Sequence, residues 1–154
     1  MKSKTHTIER MLIEDFDEVS HLWQSTEGVG LSESDSRPNI AAYLARNSEM
    51  SFVARNGGKI IGAVLCGHDG RRGYLHHLAV APAHRKKGVG KKLVETCLAR
   101  LAAFNIPKCN IFLYADNAVG EFFWKRNGWV KRSDLQVMQK AVIQSGKKKC
   151  DQSC

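Results

Sequence analysis

The chemistry of this chain is concentrated between residues 74 and 92. There Arg85, Lys86, Lys87, Gly88, Val89 and Gly90 separate an apolar run, residues 75–80, from a long amphipathic stretch. Pro82 ends the run, so the order is strand, basic glycine turn, helix start. The first N–H groups of a helix have no intrahelical acceptor, and the helix dipole favours an anion beside them. Glycines let the backbone approach a phosphate closely, and the cations around them add to the attraction. The turn therefore reads as a seat for a phosphate-bearing ligand. It is neither a GxxxxGK[ST] phosphate loop nor a GxGxxG dinucleotide fingerprint. On its own, the spacing also fits a plain basic loop.

A second group could move protons. His76 and His77 are adjacent in the apolar run, and imidazole titrates near neutrality. Adjacent strand residues face opposite ways, so only one of the two can address a substrate unless a bulge intervenes. His76 shares parity with Leu78 and Val80, and His77 with Leu75 and Ala79. A packing role fits either histidine. Glu33 and Asp35, in a polar stretch, are rival proton acceptors or partners for an ammonium group.

The elements that must position these groups follow from periodicity and breakers. Residues 7–12 read as a first strand. Acids at 14, 15 and 17 precede Phe16, Val19, Leu22 and Trp23 at helical spacing. Residues 27–38, rich in glycine and serine, read as a loop able to lie over a site. Ile40, Tyr43 and Leu44 mark a second short helix. Strands are expected at 50–55 and 59–67 about the Asn56–Gly57–Gly58 hairpin turn, and at 74–80 after a turn over 68–73. The helix after Gly90 carries Leu93, Val94, Cys97, Leu98 and Leu101 on one face and must end before Pro107. A strand at 109–114, a turn at Asp116–Asn117 and a short helix at 119–126 follow, then a closing strand pair at 129–132 and 135–142. The order is βααβββαβαββ, an α/β chain with a mixed, largely antiparallel sheet of about seven strands and helices on both faces.

Composition narrows the class. The chain has 154 residues, enough for one domain, expected over 1–143 and followed by a basic polar tail, 144–154, expected to be disordered. No apolar run approaches the roughly 20 residues that cross a bilayer. The first residues lack the apolar core of a secretory signal. The five cysteines are odd in number and show no CxxC pair, so neither a metal site nor a disulfide framework is expected, and a reducing cytoplasm is the natural setting. The net charge of +9 raises nucleic acid as a partner. Much of it, however, lies in the glycine turn and the tail, with few aromatics among the basic residues, which disfavours that reading.

Taken together, Arg85 to Gly90, Asn117, and Phe123-Trp124-Lys125-Arg126-Asn127-Gly128-Trp129 resemble the signature of the GNAT superfamily of acyl-CoA-dependent N-acetyltransferases: [RQ]xxGx[GA] after a strand, then an Asn, then a short helix ending in a pattern like [FL]YxxxGF. The resemblance spans nearly the whole chain. It implies acetyl-CoA as cosubstrate, with its pyrophosphate on the amides of Arg85, Lys86, Lys87, Gly88, Val89 and Gly90. Its pantetheine arm would lie along Leu78, Ala79 and Val80, and Asn117 would touch it from across a slot between splayed strands. It implies His76 as the residue taking the proton of an attacking primary amine: a small amine, an amino acid or a peptide amine. The chain departs from the family at Trp124, where a Tyr usually protonates the leaving thiolate; indole N–H donates a hydrogen bond but is no acid near neutral pH. It also carries Phe112 where ribosomal-protein acetyltransferases carry a Glu. A non-catalytic acyl-CoA sensor is the alternative, and a homodimer is compatible with the family.

Overall fold

The computed structural model of the protein describes residues 6–143. The predicted tail, 144–154, lies outside that range. Five strands form one sheet in chain order: β1 (Thr7–Arg10), β2 (Phe52–Asn56), β3 (Lys59–His68), β4 (Gly73–Val80) and β5 (Cys109–Ile111). All neighbours are antiparallel except β4 and β5, which run parallel. Helices α1 (Phe16–Gln24) and α2 (Arg37–Arg46) cover one face, α3 (Val89–Ala103) the other, and α4 (Ala118–Arg126) follows β5.

Two cores result. Val19, Leu22, Trp23 and Ile40 pack on Val53, Ile60, Ala63, Leu65 and Ala79 under α1 and α2. Val89, Leu93, Val94, Cys97 and Leu101 of α3 pack on Phe52, Ile61, Val64, Cys66 and Leu75. Strand β3 feeds both, which is why its sequence is almost continuously apolar rather than alternating. Cys66 and Cys97 are fully buried, and burial pushes the Cys109 thiol up to about 12, so these cysteines serve as small core residues. Helix α3 stops where Phe104 caps it and Asn105 turns left-handed (φ +59°), two residues before Pro107.

The expected seven strands are not found. Residues 129–143 form no strand among the described residues, and β5 ends at Ile111 rather than at 114. The apolar residues Leu135, Val137, Met138 and Val142 suggested a strand, but a strand exists only where a neighbour accepts its backbone groups. Here Arg132 and Asp134 close a turn through paired contacts of 2.8 and 2.9 Å, and beyond it the chain meets no partner strand.

Candidate active site

The site begins with a defect in β4. Leu65 pairs with His76 and Ala63 with Ala79, so Val64 alone faces both His77 and Leu78. His77 takes up the extra residue in the left-handed region, φ +54°. The bulge reverses strand parity: Leu75 lies in the α3-side core and Ala79, four residues on, in the α1/α2-side core, whereas an unbroken strand would put them on one face. As a result both histidines turn to the α1/α2 side. His77 meets Trp23 of α1 edge-on at 5.1 Å, and His76 meets Tyr43 of α2 at 6.3 Å. Left-handed backbone at a non-glycine residue costs about 1–3 kcal/mol and persists only where its surroundings fix it. Here the fixing contacts are the Trp23 indole N–H, which donates to the His77 carbonyl at 2.8 Å, and Asp35, whose Oδ1 lies 2.8 Å from His77 Nε2.

Strand β4 then loses its neighbour. It pairs with β5 only from Gly73 to Leu75, opposite Cys109 to Ile111. From His76 to Val80 that side of β4 is without a strand among the described residues, and a gap opens. The gap's narrow end carries three nearly parallel rings, Tyr74, His76 and Phe112, with centroids 6.2–6.4 Å apart. The α1–α2 loop arches over it. Asp35 ties the loop to the bulge, a Cβ on Gly30 would run into the Tyr114 hydroxyl, and a Cβ on Gly28 would lie 2.9 Å from Asn117 Nδ2.

At its wide end β4 leads through a short turn, Pro82–His84, to the basic glycine loop. Lys86 (φ +60°) and Gly88 (φ +79°) are both left-handed, and α3 starts immediately after Gly88. The Gly88 carbonyl accepts from Lys92 N–H at 3.0 Å, so the amides before Lys92 belong to the turn that precedes the helix's own acceptors. No atom lies within 4 Å of a Cβ placed on Gly88, while one on Gly90 would contact Phe123 at 3.4 Å and Val80 at 3.6 Å. The loop is thus open on its outer side and packed on its inner side. Arg85, Lys86 and Lys87 are exposed around it, although Arg85 Nε is also committed to the Val80 carbonyl at 3.0 Å.

Residues 16–129 match the sequence profile described as the acetyltransferase (GNAT) family. An acetyltransferase of Yersinia pseudotuberculosis is 34% identical over 104 residues, covering 68% of this chain and 73% of that protein. The chain belongs to the GNAT acetyltransferase family. Another relative, an acetyltransferase of Sodalis glossinidius, is 25% identical over 131 residues, 85% of this chain and 92% of that protein. The PaiA N-acetyltransferase from Thermoplasma acidophilum, solved in complex with coenzyme A, shares the fold with a TM-score of 0.70 at 20% identity, covering 80% of this chain and 89% of that one.

Within this GNAT domain the predicted site residues fall into four places. Leu78, Ala79 and Val80 form the β4 edge of the gap; Arg85 to Gly90 form the loop at its wide end; His76 stands at the narrow end. Asn117 is across the gap, where its Oδ1 accepts from Gly120 N–H at 2.8 Å and caps α4. Trp124 packs on the α3-side core and meets Trp129 edge-on, centroids 4.8 Å apart. Glu33 is exposed on the loop's outer side. In the 68–73 turn, Asp69 Oδ1 accepts the Arg71 and Arg72 amides at 2.8 and 2.7 Å, and His68 Nδ1 accepts from Gly70, so these side chains shape the turn.

Sequence reasoning missed the His77–Asp35 pair. It gave Asp35 as a rival proton acceptor or ammonium partner and not as a partner of His77, and it set the two histidines on opposite faces unless a bulge intervened. The pair is largely buried, with side-chain exposures of 17% and 12%. It also bears on His76, whose pKa is lowered by burial first and by His77 second, against a smaller opposing pull from Asp35. The net direction keeps the His76 imidazole neutral and able to accept a proton.

Proposed function

We propose that the protein is an N-acetyltransferase that moves an acetyl group from acetyl-CoA to a primary amine by direct attack within a ternary complex. The observation that carries this reading is the continuity of the gap. The open β4 edge from His76 to Val80 runs straight into a left-handed glycine loop at the start of α3. The residues present fit coenzyme A. Unpaired edge groups suit the amides of a pantetheine arm. The helix-start amides with Arg85, Lys86 and Lys87 suit its pyrophosphate, and Asn117 borders the far side.

The acceptor amine then enters beneath the α1–α2 loop, beside His76. Its nitrogen lone pair attacks the thioester carbonyl carbon, and the oxygen that gains negative charge is met by a backbone N–H at the bulge. For that lone pair to be free, His76, held neutral, first takes one proton from the ammonium form of the amine. As the tetrahedral centre collapses the C–S bond breaks, the amide forms and the thiolate leaves. With Trp124 in place of a Tyr, water relays to sulfur the second proton, which the nitrogen sheds as it becomes an amide. His77 and Asp35 act by position: they fix the bulge and tether the loop. The ring surface of Tyr74, His76 and Phe112 favours an amine borne on an apolar or flat arm.

The test is thiol release from acetyl-CoA across a panel holding arylalkylamines, polyamines, amino acids and short peptides. Activity with at least one amine class is expected, together with a fall in kcat of about 10²-fold or more in His76→Ala, the usual worth of a positioned base. Coenzyme A binding without turnover of any amine would favour a non-catalytic sensor, and absence of binding would remove the proposal.

A further inference from the structure

The α1–α2 loop holds both lips of the gap. On the β4 lip, Asp35 Oδ1 lies 2.8 Å from His77 Nε2. On the far lip, past β5, a Cβ placed on Gly30 would run into the Tyr114 hydroxyl, and one on Gly28 would lie 2.9 Å from Asn117 Nδ2. Between these points the loop is braced from within. Asp35 Oδ2 accepts from Ser32 N–H at 2.9 Å, Asn39 Nδ2 donates to the Glu33 carbonyl at 2.7 Å, and Val29 packs on the α1/α2-side core. A loop tied to both lips and hydrogen-bonded across its middle is a fixed strap, ordered before any ligand arrives.

A strap decides what reaches His76. An open groove admits a polypeptide lying across it, with chain running out on both sides. A strapped groove admits only a molecule narrow enough to pass beneath, end first. The space that remains runs along β4 from the bulge at His77 back to Tyr74, about 10 Å at the usual rise of a strand. Its walls are flat rings. The planes of Tyr74, His76 and Phe112 lie within 6–21° of one another, and Phe112 is 60% exposed. A flat ring aligns with all three planes at once, whereas a puckered saturated ring aligns with none. The carboxylate of Asp35 stands at the His77 end, where it draws an ammonium group inward and leaves the uncharged Tyr74 and Phe112 for the other end of the molecule.

We infer that the acceptor is a small arylalkyl primary amine, and that the strapped loop shuts out peptide and protein amines. The inference rests on the acetyl-transfer reading above for the place of the amine nitrogen, beside His76. It adds the nature of the arm that carries that nitrogen: one uncharged flat ring, a short flexible link and no chain branching from it. The ring lies against Tyr74 and Phe112, and the link passes under the strap.

Three acceptors test it on the full-length protein: 2-phenylethylamine, its saturated twin 2-cyclohexylethylamine, and a tetrapeptide with an N-terminal phenylalanine. The tetrapeptide carries the same ring, link and amine, with a chain appended at the carbon that bears the nitrogen. Thiol release from acetyl-CoA gives kcat/KM, and calorimetric titration into protein saturated with coenzyme A gives Kd. In both readouts 2-phenylethylamine is expected to surpass its saturated twin by about 5-fold or more and the tetrapeptide by roughly 100-fold. Phe112→Ala should erase the preference for the flat ring. Tyr114→Ala, which removes an anchor of the strap, should narrow the margin over the tetrapeptide by roughly 10-fold and leave the coenzyme A Kd unchanged. If either variant fails to fold, the wild-type comparison decides alone. A tetrapeptide or a saturated amine that serves as well as 2-phenylethylamine would overturn the inference, as would 2-phenylethylamine that neither binds nor reacts. Binding in the expected order without thiol release would uphold the acceptor site and remove the transferase reading. Thiol release with the tetrapeptide alone would do the reverse.

Discussion

Replacing Gly88 separates backbone strain from charge at the proposed phosphate seat. Its φ of +79° imposes about 1–2 kcal/mol on any L side chain, so Gly88→Ala and Gly88→Asp share that cost. No protein atom lies within 4 Å of the new Cβ, so neither variant creates a clash, and both are expected to fold with a modestly lowered Tm. They differ in charge. A carboxylate about 5 Å from a pyrophosphate charge, at an effective dielectric of about 40 for an exposed loop, repels it by about 1.7 kcal/mol per charge pair. Partial screening leaves about 1–3 kcal/mol, or roughly 5- to 150-fold in Kd. Isothermal titration with coenzyme A should show Gly88→Asp weakened by that factor relative to Gly88→Ala. The gap between the two should shrink as salt rises from 50 to 500 mM, since only the charge term is screened. Equal affinities for the two variants, or a gap insensitive to salt, would refute an anion on these amides. The alanine variant guards the comparison, because a loss common to both would report the loop's shape and not its charge.

Four further outcomes test other links. The acid limb of the kcat/KM profile should fall below the ordinary histidine value, because burial and His77 lower the His76 pKa. His77→Asn, a residue that tolerates left-handed backbone, should move that limb to higher pH by removing the second of those causes. The same shift sets a stability trend: with the folded pKa below the unfolded one, the unfolded chain binds the proton first, so stability contributed by neutral His76 is present above about pH 6.5 and is lost as the pH falls below it. A denaturant midpoint that rises on acidification through that window would contradict the burial argument. Gly30→Ala would drive a methyl into the Tyr114 hydroxyl and should raise the acceptor KM several-fold while leaving coenzyme A affinity unchanged, as steady-state kinetics and titration together will report. Leu93→Ala removes a side chain with no exposed surface from the α3-side core and should cost about 2–5 kcal/mol in urea denaturation.

Residues 74–92 announced themselves because local chemistry suffices there: a glycine that must be left-handed, a helix that must start and cations that must face solvent are all decided within a few positions. The same holds for the Asn56–Gly57–Gly58 turn and for the stop before Pro107. What escaped was decided by contacts distant in the chain. The bulge at His77 is fixed by Trp23, 54 residues away, and by Asp35, 42 residues away. No period-2 reading of β4 could place both histidines on one face, since the parity rule assumes the regular ladder that those two contacts interrupt. The closing strands failed for a related reason. The apolar character of 135–142 was read correctly, but pairing is a property of two segments, and composition names only one of them.

The two misjudged features bear on the same gap from opposite ends. A regular β4 would send His77 into the α3-side core, leave Asp35 without its anchor and free the α1–α2 loop from the site. A sheet completed within one chain would cover Phe112 and Tyr114 with its own strands. The observed chain instead turns His77 onto Asp35 by an irregularity in one strand and leaves the neighbouring strand's outer edge unpaired among the described residues. Residues remote in sequence therefore shape the acceptor side. On the proposed function, the cofactor side is built from one contiguous stretch, residues 78–90, with Asn117 opposite. That division gives a physical reason why the proposed cofactor half of the site can be argued from motif spacing and the acceptor half cannot: an anion seat needs only local backbone and charge, whereas an acceptor pocket is the meeting of a bulge, a loop and an edge that no short window of sequence contains.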